Sequence, residues 1–472
     1  MTHPVPDAPT PKGPSAASPP EASAPAAPSA ALPPEIATAD PGMFGKLVIG
    51  HGFATPDQVV ECLSIQKAHG TKPLGMIMVE MGFLRKDHLE QILVMLRAKT
   101  KDKVAAQARE SAAAADKIRE QMERLLAQVA GGGASDLHLN VGSPPIVRLH
   151  GHLRNTNAPP LTADQTRAMV LSLLDEPGKA HFFEHKDIDF CHTLDGVARF
   201  RVNAFHHRNG VDASFRVIPP QVPTLEQLGI PPIVEQLIGF QQGLVLVTGP
   251  SGCGKTTTLA ALVEMINHSR KHNVICLEQP IEYVIPSRKC NIVQREIPRD
   301  SLSFPNALRA ALRENPDVVI LGEMRDLDTI STAITAAETG HLVLGSLHTS
   351  SAARTVDRIL DVFPPKEAAQ VRAMVSESLR GVISQQLIPQ IDGKGRVVAV
   401  ELLFNTPAIG NLIRDERTFQ IPGQMQTGKK LGMQLMDDML MDLVRRKRIA
   451  PQEAWSRAEN KATFAPLLGP PL

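Results

Sequence analysis

One Trp and one Tyr in 472 residues leave little material for a surface that stacks bases, the usual grip on single-stranded nucleic acid. Net charge is almost absent too. Against 50 Lys and Arg stand 49 Asp and Glu, so no bulk positive field draws in nucleic acid or an anionic membrane. Nucleic acid is therefore not an expected partner. The five cysteines (Cys62, Cys191, Cys253, Cys276, Cys290) are scattered, with no CxxC pair. That excludes a zinc ribbon and a disulfide framework, and suits a reducing cytoplasm. No run approaches the roughly 20 apolar residues needed to span a bilayer. The opening "MTHPVPDAPT" lacks the basic and apolar parts of a secretory signal. The hydrophobic share of 43% can still fill real cores. At roughly 100–200 residues per domain, about three domains are expected.

Residues 1–42 hold 12 of the 39 prolines, mixed with Ala and Ser. They cannot bury enough surface to offset their ordering entropy and are predicted to be a disordered tail. Residues 43–97 contain a repeat: "FGKLVIGHGFATPDQVVECL" (44–63) aligns with "LGMIMVEMGFLRKDHLEQIL" (74–93) at an offset of 30. Gly45, Gly52, Phe53 and Asp57 fall on Gly75, Gly82, Phe83 and Asp87. Thr55, Pro56 and Gln58 form a capping box. Each copy predicts a short helix, a Gly turn and a longer amphipathic helix, together one small helical domain. Residues 98–133 are rich in strong helix formers and end at "GGGAS", which predicts a helical linker.

From 134 to 228 the pattern becomes α+β. Alternating stretches begin at "SDLHLNVG", and "ARFRVNAFHHRNGVDASFRVIP" gives a hairpin around Asn209-Gly210. From 229 to 390, the apolar runs "LVLVTG", "NVICLE", "DVVILGE" and "HLVLGSLH" alternate with helical stretches. Such runs form buried parallel strands in a right-handed βαβ arrangement. Residues 391–472 read as a mainly helical region. Its methionines (Met433, Met436, Met439, Met441) suit helix packing.

The sharpest local signal is "GPSGCGKTT", Gly249, Pro250, Ser251, Gly252, Cys253, Gly254, Lys255, Thr256 and Thr257. It satisfies G-x-x-x-x-G-K-[ST] between an apolar strand and an apolar helical pattern. Such a loop wraps phosphates with backbone amides, so ATP with Mg²⁺ is the expected ligand pair. Lys255 supplies a charge to the β- and γ-phosphates, and Thr256 an oxygen to the metal. Glu323 emerges after four apolar residues, where ligands of open α/β sheets bind; it would hold the metal's water shell or polarise the attacking water. Glu278 and Glu282 follow another apolar strand, and Glu282 is the expected general base. His341 and His348 flank a further strand, and His348 could contact the γ-phosphate. The loop alone does not separate a motor from a kinase or a GTPase.

In order, Gly249–Thr256, "EQPIE" (278–282), "LGEMRD" (321–326) and "GHLVLGSLHT" (340–349) resemble the Walker A, Asp box, Walker B and His box of secretion ATPases. The stretches "ALRAALRENPDVVILGEMRDLDTI" and "AAETGHLVLGSLHTSSAARTVDRILDVFP" are similar to the type IV pilus retraction ATPases, as is "NTPAIGNLIRD" (405–415). The resemblance covers about 135–460. It implies an α/β fold: a RecA-like P-loop ATPase core, a preceding α+β (PAS-like) domain, a small N-terminal helical domain and a helical C-terminal part. It also implies a homohexamer in the cytoplasm, peripheral at the inner membrane at the pilus base. Work would be delivered to an inner-membrane pilus platform protein, driving retraction and twitching. Arg199, Arg201 and Arg216 would reach the neighbour's nucleotide, with Arg201 and Arg216 as catalytic fingers. Assembly ATPases usually carry a four-Cys zinc site, and this sequence lacks one.

Three departures stand out. The Asp box has Gln279 where its Asp belongs, and Gly410 replaces an Arg of the family pattern. The 43–97 repeat resembles the N-terminal domain of long assembly ATPases, whose paired RLGxxLxxxG motifs can bind cyclic di-GMP. Here those Arg-Leu positions read Met43-Phe44 and Pro73-Leu74, so a docking or structural role is expected ahead of cyclic di-GMP binding. Two other functions compete: an accessory subunit that hydrolyses ATP weakly and modulates another retraction ATPase, and a RecA-like nucleic-acid translocase.

Overall fold

The computed structural model describes residues 41–69, 72–149, 151–393 and 395–468. All but the last two residues of the predicted tail, 1–42, lie outside them. Two compact units divide at Ala113/Ala114.

The first unit is built from the repeat. Its helices are α1 (Pro41–Gly50), α2 (Pro56–His69), α3 (Leu74–Glu80) and the start of α4 (Lys86–Gly131). Residues 30 apart play the same part: Phe44 and Leu74, Leu47 and Ile77, Val48 and Met78, Val59 and Leu89, Cys62 and Ile92 are all buried in one core. Gly52 and Gly82 turn the chain at φ 72° and 74°, a left-handed conformation that costs Gly little. A Cβ on Gly75 would lie 2.6 Å from Leu89 Cδ1 and 2.8 Å from Phe44 Cζ, so the repeat glycine lets two helices meet. The capping box forms, with Thr55 N donating to Gln58 Oε1 at 2.9 Å. Met43 and Pro73, at the arginine positions of the motif, are half-buried apolar residues.

The expected linker differs. No Gly or Pro interrupts the sequence from Lys86 to Gly131, and the second repeat's long helix and the linker are one helix of 46 residues. Its last turns are not a spacer: Met122, Leu126 and Val129 are buried with the first sheet of the second unit.

That sheet contains β1 (Asp136–Leu139), β2 (Ile146–Leu149), β3 (His152–Asn155), β4 (Asp187–Leu194), β5 (Ala198–His207) and β6 (Gly210–Ile218). It is antiparallel, ordered β3-β2-β1-β6-β5-β4, with α5 (Ala163–Ser172) and α6 (Glu176–His185) between β3 and β4. The hairpin closes where expected, His207 opposite Gly210. After the short α7 (Leu225–Leu228) comes the larger sheet: β7 (Gly243–Thr248), α8 (Lys255–Ser269), β8 (Asn273–Glu278), β9 (Asn291–Glu296), α9 (Phe304–Ala311), β10 (Val318–Leu321), α10 (Leu327–Glu338), β11 (Leu342–Leu347), α11 (Ala352–Asp361), α12 (Ala368–Ser378), β12 (Leu379–Pro389) and β13 (Arg396–Phe404). Its order is β13-β12-β7-β11-β10-β8-β9, parallel except at β12/β13. Continuous apolar strands fill the middle because helices cover both faces.

Within 391–472, expected to be mainly helical, one stretch is a strand, β13. "RVVAVELLF" pairs antiparallel with β12 over nine positions and closes one edge of the sheet. The β-branched valines favour this state, and the first helix after them begins only at Pro407. Glu401 on β13 is buried and accepts from two helix N-termini, Ala352 N at 2.6 Å and Met436 N at 3.1 Å. Among the described residues no helix is long and apolar enough to cross a membrane.

Gly75→Val should destabilise the first unit by about 1–3 kcal/mol, the usual scale of overpacking. Hydrogen exchange should quicken in α1–α3 while α8 stays protected. Unchanged protection in α1–α3 would contradict the close approach at Gly75.

Candidate nucleotide site

Three neighbouring parallel strands, β7, β11 and β10, end at the same edge of the sheet. Each hands over to a loop there. β7 leads into 249–254, β11 into His348, and β10 into Glu323. Ligands of open α/β sheets bind at this edge.

The phosphate loop is shaped by its glycines. At Gly249 φ is 142°, and a Cβ there would sit 2.2 Å from the carbonyl oxygen of Gln385. Gly252 and Gly254 are left-handed, and the loop enters α8 with no side chain capping its N-terminus. The amides of that first turn are thus left for an anionic ligand. Cys253 is buried, Pro250 and Ser251 are exposed, and Thr256 and Thr257 are half-buried on α8.

Lys255 is buried. Its ammonium donates to Gly249 O at 2.9 Å and Pro250 O at 3.1 Å, and lies 3.2 Å from His348 Nδ1. Burial pulls its pKa below the ordinary lysine value, with the Glu323 charge acting the other way. The other nitrogen of His348, Nε2, is 2.6 Å from Glu323 Oε1, and Arg325 Nε is 2.5 Å from the same oxygen. Burial pushes the Glu323 carboxyl up, but the Arg325 hydrogen bond and charge and His348 outweigh it and hold the group below the usual carboxylate range. The predicted Lys255, Glu323 and His348 therefore form one contiguous set. With Arg325, Arg358 and Thr349 the last two line a cleft of about 500 Å³.

The Glu323 loop is pinned from both sides. Gly322 N donates to Leu277 O on β8, and Met324 N to Ser346 O on β11. Ser346 Oγ returns a bond to Gly322 O at 2.6 Å.

The other predicted residues lie elsewhere. Glu282 pairs with Arg201 of the same chain, Nη1 to Oε1 at 2.8 Å, across the two sheets. Arg199 Nε donates to Ile281 O at 2.9 Å in the same loop. Arg199 and Arg201 share a strand face, as the period of two requires. Arg216 instead binds Asp136, directly across from it on β1, at 3.0 Å. Among the described residues neither Arg201 nor Arg216 has a hydrogen bond or ion pair to its own phosphate loop. Gln279 is exposed.

Two residues at and after the end of β8 were given no role from the sequence. Glu278, weighed there as one of two acids and passed over, ends β8 with its carboxyl crowded by protein although the residue keeps some accessible surface. Burial pushes that carboxyl up to about 7 against a hydrogen bond from Gln294 Nε2 at 2.9 Å. The single Tyr, Tyr283, is buried in the 279–286 loop, in the apolar cluster that includes Leu259 and Val263 of α8. The signal for Glu278 was its place as the first acid after a four-residue apolar run.

The family described as "Type II/IV secretion system protein" matches residues 111–463. This chain belongs to that family. It is 49% identical to the type IV pilus retraction ATPase PilT of Pseudomonas aeruginosa over 340 residues, 72% of this chain and 98% of that protein. To the type IV pilus ATPase PilU of the same organism it is 36% identical, covering 72% of this chain and 89% of that one. A crystal structure of the pilus retraction motor PilT with bound ADP matches with a TM-score of 0.67 and 42% identity, over 72% of this chain and 98% of that chain. The fold is accordingly the RecA-like ATPase core with its preceding α+β domain. The family match begins after the helical repeat of 43–97.

Because the folded-state pKa of Glu278 is raised, its ionisation opposes folding, and the penalty grows as pH rises toward and through about 7. Glu278→Gln should raise Tm at pH 8, and the gain should shrink steadily toward pH 5. A Tm difference that does not vary with pH would contradict the enclosed carboxyl.

Proposed function

We propose that this chain is an ATP-hydrolysing motor of the pilus retraction class, acting as a homohexamer on an inner-membrane platform protein. The chain is an ATP hydrolase. The observation that carries the reading is the contiguous Lys255–His348–Glu323 set beside a glycine-shaped phosphate loop.

The roles follow from position and charge. The amides of the first turn of α8 and the Lys255 ammonium bind the β- and γ-phosphates. Among the described residues there is no cluster of three or more His, Cys, Asp or Glu fit to cage a metal. Mg²⁺ prefers a few oxygen donors and keeps its waters. Thr256, on the first turn of α8, and the ionised Glu323 are the donors that would hold it, the carboxylate through water, and bound with ATP it would neutralise phosphate charge. His348 joins the Lys255 and Glu323 ends of the site, so a change at the γ-phosphate reaches both. Glu282, outside this set and paired with Arg201, is the proposed base for the attacking water's proton once that pair opens.

The Arg201–Glu282 pair gives the arginine two positions. Paired as observed, it neutralises the base of its own chain. Moved to a neighbouring protomer's nucleotide, it releases that base and places positive charge on the transferring phosphoryl group, a contribution that reaches about 10³–10⁵ in rate. Arg216 has the same choice between Asp136 and a neighbour. Residues 43–97 serve docking or packing, because their arginine positions carry Met43 and Pro73. An accessory role beside another retraction ATPase is the second reading, favoured by the exposed Gln279 at the Asp position.

ATPase assays on the purified hexamer test both readings. Glu323→Gln should bind ATP and turn over at least about 100-fold slower. Mixing Arg201→Ala with Lys255→Ala subunits should recover activity at interfaces where an intact arginine meets an intact loop. No recovery confines Arg201 to its own chain. Wild-type turnover that appears only after addition of a second retraction ATPase would favour the accessory reading.

A further inference from the structure

Gln385 is a buried amide, 1% exposed, in the middle of the otherwise largely apolar β12. A polar side chain in such a place costs free energy unless its hydrogen bonds are made. Both ends of this one are satisfied, and both by the phosphate loop and its helix. Nε2 donates to the carbonyl of Cys253 at 2.8 Å, and Oε1 accepts from Thr258 Oγ1 at 2.9 Å. The backbone carbonyl of the same residue packs where a side chain on Gly249 would stand. One position on β12 therefore meets the loop at its first glycine, at the residue before its last glycine, and on the first turn of α8.

The contact with Cys253 has a geometric consequence. A trans peptide unit is planar, so its C=O and N–H point in opposite directions. The Cys253 carbonyl is turned toward Gln385, and the N–H of Gly254 must point away from it. That N–H finds no acceptor among the described residues. Amides directed in this way make the concave nests that bind phosphate oxygens.

We propose that Gln385 is a positioning residue for the phosphate loop: by holding the Cys253 carbonyl it aims the Gly254 amide at the nucleotide. The proposal rests on the reading of 249–257 as the nucleotide site. Its effect falls on binding, since ADP and ATP both present a β-phosphate to the loop. A residue that only stabilised the fold would move Tm and leave affinity alone.

The test uses the full chain and titration with ADP. Lys255→Ala checks the underlying reading. If it binds ADP as the wild type does, that reading fails and this inference with it. Gln385→Met keeps the side chain's length without its donor or acceptor. We expect its Kd for ADP and its KM for ATP to rise together by about tenfold, with kcat falling by less, the pattern of lost uniform binding. Gln385→Glu keeps the acceptor for Thr258 and can donate to Cys253 only when protonated. Its ADP affinity, measured against wild type at each pH, should be poor at pH 8 and recover as pH falls, and this variant decides the matter if Gln385→Met does not fold. With Lys255→Ala behaving as expected, wild-type ADP affinity in the folded Gln385→Met protein, or a Gln385→Glu deficit that is absent or independent of pH, would overturn the proposal.

Discussion

The chemistry of this molecule depends on the parallel pairing of β7, β11 and β10. Every residue of these strands is buried, and each strand ends at the same edge. Residues 93 positions apart, Lys255 and His348, come within 3.2 Å only because Thr248 lies opposite Leu347 in that register. A slip of one residue would turn alternate side chains to the other face of the sheet and separate the phosphate loop from the carboxylate it works with.

Behind that edge the packing is polar as well as apolar. Thr248 shares a hydrogen bond with Ser384 at 2.6 Å, Thr349 shares one with Thr355 at 2.6 Å, and Thr355 reaches Thr248 at 3.4 Å. These hydroxyls join the strand before the phosphate loop, the residue after His348 and the strand that carries Gln385. Glu401 adds a buried carboxyl, raised by burial despite two backbone N–H bonds, that fixes the starts of α11 and of the helix beginning at Met436. Buried polar groups satisfied this fully hold one arrangement, because any shift leaves a donor or acceptor unpaired.

What the sequence revealed and what it hid divide along the distance a contact spans. The repeat, its capping box and the Gly249–Thr256 pattern are local, and local patterns of period and spacing carry them. Lys255, Glu323 and His348 could be placed together because each follows an apolar run and the edge rule brings such ends into one cleft. β13 was hidden because its valines precede a strongly helical stretch and pair with a strand that is itself irregular at Leu379/Gly381. The Arg201–Glu282 pair joins two sheets 81 residues apart in sequence, and no spacing announces it. Gln385 had a faint signal, a Ser-Gln-Gln triplet inside an apolar strand, whose meaning appears only when β12 lies against the phosphate loop.

On the proposed function, hydrolysis at this edge drives retraction. Direct observation of labelled pili, in cells lacking their own retraction ATPase and supplied with this chain, tests it most directly. Wild type should restore retraction, and Lys255→Ala, at the same protein level, should leave pili extended. Extended pili with the wild-type chain, or equal retraction with Lys255→Ala, would contradict it.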